Sequence, residues 1–194
     1  ATRGEHRRQW MPHVVQTNVP IATDVPLPDY VRREPGGAQL AYLPPREFTN
    51  VYDARECIET STNLSVRIES CRLAKDVLRR AVAMVREGVT TEEIDDQICH
   101  MLAERKAYPS PLGFRGYPRA SCISVNNCAC HGIPDAYVLQ LGDLVHIDVS
   151  VFWRGFHGDC SETMVVGEGP HDPVVESLAR HSRELTLGAI AQCK

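Results

Sequence analysis

No apolar run in this chain approaches the roughly 20 residues of a helical membrane span, which excludes that architecture for the residues given. Excess positive charge is also missing: 21 Lys and Arg stand against 25 Asp and Glu, for a net charge of -4 and a pI near 6.1. That balance points away from a specific nucleic-acid partner or an anionic membrane. No secretory signal pattern is visible. The 8 cysteines are even in number, as a disulfide framework would be, yet Cys71 and Cys99 fall in helix-patterned stretches. Reduced thiols in an intracellular protein are therefore expected, with these two as small core side chains. Cys128, Cys130 and His131 have no second Cys or His pair at finger-like distance, and their own spacing is too tight for structural zinc. The chain begins at Ala1 rather than Met and stops at Lys194 beside a helical pattern, so a fragment or a processed product is expected.

What is present divides at about residue 60. Residues 1–60 are rich in Pro, Arg and Gly, with the blocks VPLPDYVRREPGG and YLPPREF. Proline removes amide donors and biases its predecessor toward extended backbone, so an irregular or polyproline-like N-terminal arm is predicted. Its start, RGEHRRQW, is compatible with the remnant of an organellar transit peptide or with a plain basic tail. Residues 61–194 carry regular patterns and have room for a sizeable core. Val66, Ile68, Leu73, Val77, Leu78, Ala81, Val82 and Val85 recur every three or four positions, which predicts a helix from about Ser65 to near Gly88. Thr90 and Glu93 form a capping-box pattern before a second helix with the stripe Ile94, Ile98, Met101 and Leu102. Residues 108–135 read as loop, interrupted by a short strand over 121–125. A last helix is expected from about Asp172 to Gln192, with His171 and His181 on the surface.

The most informative stretch is 144–166, LVHIDVSVFWRGFHGDCSETMVV. Two β-branched and aromatic segments flank Arg154-Gly155, a hairpin-turn pattern. Val145, Ile147, Val149 and Val151 share one strand face, and His146, Asp148 and Ser150 share the other. If Trp153 pairs with Phe156, Asp148 lies opposite Ser161 and Ser150 opposite Asp159. Asp148 and Asp159 then become diagonal neighbours, with Cβ atoms under about 7–8 Å apart. Two half-buried carboxylates at that separation call for a cation or a shared proton. A pair of divalent metals fits, and two solvated acids on an exposed face is the alternative.

The run YPSPLGFRGYPRASCISVNNCACHGIPD followed by LGDLVHIDVSVFWRGFHGDCSETMVVGEG resembles the N-terminal half of a type I methionine aminopeptidase, over roughly 65–194. The likeness is most specific at CHGIPD, at the Asp148 strand and at HGD ending in Asp159. The arm, with VPLPDYV, resembles that of organellar members. The resemblance implies an α+β pita-bread fold, present here as its N-terminal half with an antiparallel sheet covered by helices. It implies two divalent metal ions (Co, Mn, Fe or Zn), held in part by Asp148 and Asp159. It further implies a catalytic, substrate-contacting His131 and a methionine pocket walled by Phe114, Tyr117 and Cys122. The family commonly has Tyr where Phe114 stands.

The function so implied is removal of the initiator methionine from nascent polypeptides by metal-assisted hydrolysis, with a glutamate shuttling the proton. A mitochondrial or other organellar location, or else the cytoplasm, goes with it, as does a monomeric full-length protein. The family draws its other metal ligands, one His and two Glu, from its C-terminal half, so the 194 residues alone are expected to be inactive. A non-catalytic peptide-binding module and a proline-specific aminopeptidase of the same fold are the competing readings. The paired carboxylates weigh against the first, and Tyr117-Pro118 with Ser121-Cys122 against the second.

Overall fold

The computed structural model describes residues 21–33, 40–42 and 61–193. The Arg-rich start of the arm and most of YLPPREF lie outside the described residues. Along the rest run β1 (Val31–Arg33), β2 (Leu40–Tyr42), α1 (Ser61–Val82), α2 (Thr91–Glu104), β3 (Tyr108–Pro109), β4 (Cys122–Val125), β5 (Leu144–Trp153), β6 (Phe156–Val165) and α3 (Pro173–Gln192).

β5 is the axis of a four-stranded, wholly antiparallel sheet. β6 pairs with it along its full length, while β4 and β3 pair with successive parts of it. The hairpin register is the predicted one: Trp153 faces Phe156, Asp148 faces Ser161 and Ser150 faces Asp159. Arg154 and Gly155 both have positive φ, 50° and 88°, as a two-residue turn matched to the strand twist requires. The Arg154 guanidinium also sits 4.3 Å from the Trp153 ring centre.

The odd-numbered β5 residues Val145, Ile147, Val149 and Val151 are fully buried against α1 and α2, in one core with Leu73, Val77, Leu78, Ile94, Ile98 and Leu102. Each such aliphatic side chain stabilises the fold by about 1.5–3 kcal/mol on transfer from water. α1 crosses β6 so closely that a Cβ on Gly158 would lie 2.4 Å from the Ser70 carbonyl oxygen. The middle residue of HGD is thus glycine for packing. The Thr90/Glu93 capping box is formed, and α2 buries Ile94, Ile98, Met101 and Leu102 as its stripe predicts.

Four expectations need correction. α1 ends at Val82 rather than near Gly88, because Met84 and Val85 bond to Ala81 and Val82 three residues back in tightening turns. Ile68 is 41% exposed. Cys71 is exposed whereas Cys99 is buried: the buried face of α1 passes through Ser70, Leu73 and Ala74, and residue 71 is turned about 100° from 70. Finally, the arm is not wholly irregular. Val31–Arg33 pairs antiparallel with Leu40–Tyr42, and Val25 and Val31 are buried with Tyr108 and Leu112 in a second small core. Tyr108 faces Phe152 across β3 and β5, so this second core sits at one end of the sheet face opposite the main one.

Candidate functional site

That opposite face carries the even-numbered residues of β5. Here the register sets Cys122 beside Asp148, Asp148 beside Ser161, Ser150 beside Asp159, and Phe152 beside His157. Ser150 donates its hydroxyl to Asp159 Oδ1 at 2.7 Å, which orients that carboxylate. The Asp148 acid is pushed up from its ordinary value, first by burial, then by the Asp159 charge and by a hydrogen bond between the two carboxyls, while His131 pulls it down. The two acids are therefore close enough to interact, as the hairpin register requires.

Above them opens a cavity of about 740 Å³ lined by all six residues singled out from the sequence: Phe114, Tyr117, Cys122, His131, Asp148 and Asp159. Tyr117 places its hydroxyl 2.8 Å from the Gly132 carbonyl and 3.1 Å from that of Ser121, tying the pocket wall to the His131 loop. Burial pushes the Tyr117 hydroxyl upward and the Cys122 thiol up to about 11, so both groups are neutral walls at physiological pH. Phe114 begins a single 3-10 turn, Phe114–Gly116, and is 41% exposed toward the cavity.

His131 has a positive φ of 52°, uncommon outside glycine. Its neighbour explains how this is held. Gly132 donates to Ser124 Oγ at 3.0 Å and accepts from the Ile123 amide at 2.9 Å, and a Cβ on it would lie 2.3 Å from the Ile123 carbonyl. The loop is riveted to β4, leaving His131 exposed at the cavity.

Further residues line the site. Tyr30, Ser110 and His157 also line the cavity, with Ser110 Oγ 2.9 Å from His157 Nδ1. His157 stands inside HGD, and its position opposite Phe152 follows from the hairpin register; nothing in the local sequence marks Ser110. Beneath the wall, Asp95 of α2 is buried and accepts from Ser121 N (2.7 Å), Ser121 Oγ (2.6 Å) and Ala120 N (3.3 Å). It thereby fixes the entry to the strand that carries Cys122. Arg119, also buried, pairs with Glu92, 3.8 Å from Asp96 at its other nitrogen.

Among the described residues no group of three or more His, Cys, Asp or Glu is placed to hold a metal ion. The seven described cysteines are free, and Cys128 and Cys130 join no such group. His181 is exposed and His171 half-buried, bonded to the Gly167 carbonyl; neither lines the cavity. No described helix is long and apolar enough to cross a membrane.

Comparison with known proteins places these features. The profile of metallopeptidase family M24 matches residues 68–194. "Methionine aminopeptidase 1B, chloroplastic" of Arabidopsis thaliana is 46% identical over 125 residues, 64% of this chain and 33% of the relative. "Methionine aminopeptidase 1D, mitochondrial" of Homo sapiens is 44% identical over 126 residues, 65% of this chain and 37% of the relative. The chain thus spans about a third of the length of these relatives. Among solved structures, the methionine aminopeptidase of Rickettsia prowazekii superposes with a TM-score of 0.61 at 32% identity, covering 63% of this chain and 49% of that one. The Thermotoga maritima enzyme gives 0.67 at 28% identity, covering 71% and 55%. A prolidase from Pyrococcus furiosus, at 19% identity and a TM-score of 0.55, shares the fold. The antiparallel sheet and its helices are the pita-bread type expected.

Proposed function

This chain belongs to metallopeptidase family M24, and on that premise we propose that the protein removes N-terminal methionine from nascent polypeptides by metal-assisted hydrolysis. The observation that carries the reading is the Asp148/Asp159 carboxylate pair facing a cavity walled by Phe114, Tyr117 and Cys122. Residues 61–194 are the N-terminal part of the catalytic domain in this reading, and 1–60 its arm.

The donor set fits a divalent cation. Two oxygen-donor acids share one sheet face, and Asp148 resists ionisation because of burial and its like-charged neighbour, an unfavourable pairing that a cation relieves. Asp148 and Asp159 would hold two such ions, Co, Mn, Fe or Zn, together with the one His and two Glu that the family draws from its C-terminal half. When bound, the ions supply Lewis-acid polarisation of the peptide carbonyl and an activated water.

The chain's own residues do the rest. Ser150 keeps Asp159 oriented. Phe114, Tyr117 and Cys122 offer a neutral slot of aromatic and sulfur surface, suited to a thioether side chain through dispersion and sulfur–aromatic contact. His131, locked at the rim by Gly132, donates a hydrogen bond to the substrate at the scissile amide as charge develops there. In the net reaction water adds across the first C–N bond: the carbonyl carbon gains the oxygen, the departing nitrogen gains a proton, and free methionine leaves. A monomeric protein in a mitochondrion or chloroplast, with no nucleic-acid partner, is part of the proposal; the organellar names of the relatives support the location.

The test is release of Met from Met-Ala-Ser by the full-length protein supplied with Mn or Co. Intact peptide under all metal conditions would overturn the reading, and cleavage of Xaa-Pro substrates in its place would favour a proline-specific enzyme.

A further inference from the structure

The wall of the cavity nearest Phe114 is built by a residue far outside the 68–194 family match, Tyr30. Its ring stands edge-on to Phe114, with centroids 5.3 Å apart and planes at 84°, and lies nearly parallel to His157 at 6.1 Å and 19°. Its hydroxyl donates to the Ser110 carbonyl at 2.6 Å, and the Ser110 hydroxyl in turn meets His157. This placement does not depend on the cavity. Val25 and Val31 are each 4% exposed, packed with Tyr108 and Leu112. Arg33 donates to the carbonyls of Ile21 and Ala22 at 3.2 and 2.7 Å, and Asp24 meets Lys106 at 2.8 Å. The segment 21–33 is thus fastened at both ends, and Tyr30 is presented between the fastenings.

Phe114 stands on a single 3-10 winding, with positive φ at Gly113, Arg115 and Gly116; the Arg115 guanidinium lies 5.5 Å from its ring centre, and Tyr30 sets an aromatic ring against it at the cavity. An aromatic partner at this separation and angle supplies about 0.5–1.5 kcal/mol beyond area burial. We infer that Tyr30 of the N-terminal arm is a specificity-determining residue, which walls the substrate cavity and positions Phe114 against the apolar side chain of the peptide's first residue. The inference rests on the peptidase reading above and adds the arm to the substrate site. Burial raises the Tyr30 hydroxyl to about 12, consistent with a permanently neutral donor.

The experiment compares full-length, metal-loaded wild type with Tyr30→Phe, Tyr30→Leu and Tyr30→Ala on Met-Ala-Ser, reading KM and kcat separately alongside thermal unfolding. Loss of an apolar wall contact should raise KM by about tenfold in the Leu and Ala variants, with kcat within about twofold. Tyr30→Phe keeps the ring and should leave KM within about twofold. A merely structural role would lower Tm or the yield of active enzyme without moving KM. Wild-type KM in both Leu and Ala variants would overturn the inference, as would a Leu variant with wild-type KM beside an Ala variant that does not fold. A wild type that leaves every Met peptide intact overturns the peptidase reading and this inference together. Turnover with insensitive variants overturns this inference alone.

Discussion

Asp95 makes a pH-dependent contribution to stability that can be worked out from its surroundings. It is buried, and burial raises its acid from 3.8 to about 6 even though Ser121, the Ala120 amide and the Arg119 charge all pull the other way. Because the folded value lies above the unfolded one, the proton is held more tightly in the folded state. The contribution is fully present below about 3.8 and is lost as pH rises through about 6. A difference of about two pH units, at about 1.4 kcal/mol each, is on the order of 3 kcal/mol. Asp95→Asn removes the titration while its carbonyl can keep both Ser121 donors; only the 3.3 Å contact from Ala120 is replaced by a donor facing a donor. At pH 4 the wild type should therefore exceed the variant in stability, and by pH 7 that advantage should shrink by on the order of 3 kcal/mol. Urea unfolding of both proteins at pH 4, 5, 6 and 7 measures the difference, in which the other titrating groups cancel. A pH-independent gap would refute the burial argument, and a gap that grew with pH would mean that the hydrogen-bond donors outweigh desolvation.

Two further predictions concern the sheet. Gly158→Ala forces a Cβ to within 2.4 Å of the Ser70 carbonyl, so α1 must lift from β6. A loss of about 1–3 kcal/mol is expected in denaturant unfolding, and an unchanged midpoint would show that α1 moves freely there. Asp148→Asn removes one of two like-charged neighbours, so the metal-free protein should melt at the same temperature or higher while metal-dependent turnover disappears. Lower stability in the metal-free state, or retained turnover, would remove Asp148 from the proposed metal site.

The hairpin was legible because its turn and its alternation are both local. Arg154-Gly155 sets the register, and period two assigns Val149 inward and Asp148 outward. The same pairing of β5 with β6 brought Asp148 and Asp159 together, whereas Phe114, Tyr117, Cys122 and His131 were named through the family resemblance and not through any local pattern, and all of them line the same cavity. What escaped depends on distant partners. Val25 and Val31 stand among prolines, and Tyr108 and Leu112, some 80 residues away, turn them into a core. Asp95 reads as one more acid on a helix until Ser121 is brought against it. The end of α1 was overrun because Val85 keeps the apolar spacing and packs on the core although its backbone has already left the helix.

The second small core also sets a limit on truncation of the arm. A cut between Val25 and Val31 would strip the cover from Tyr108, Leu112 and Phe152 and take Tyr30 from the cavity. The part of the arm that the fold packs against is therefore bounded by two valines rather than by the start of the regular domain.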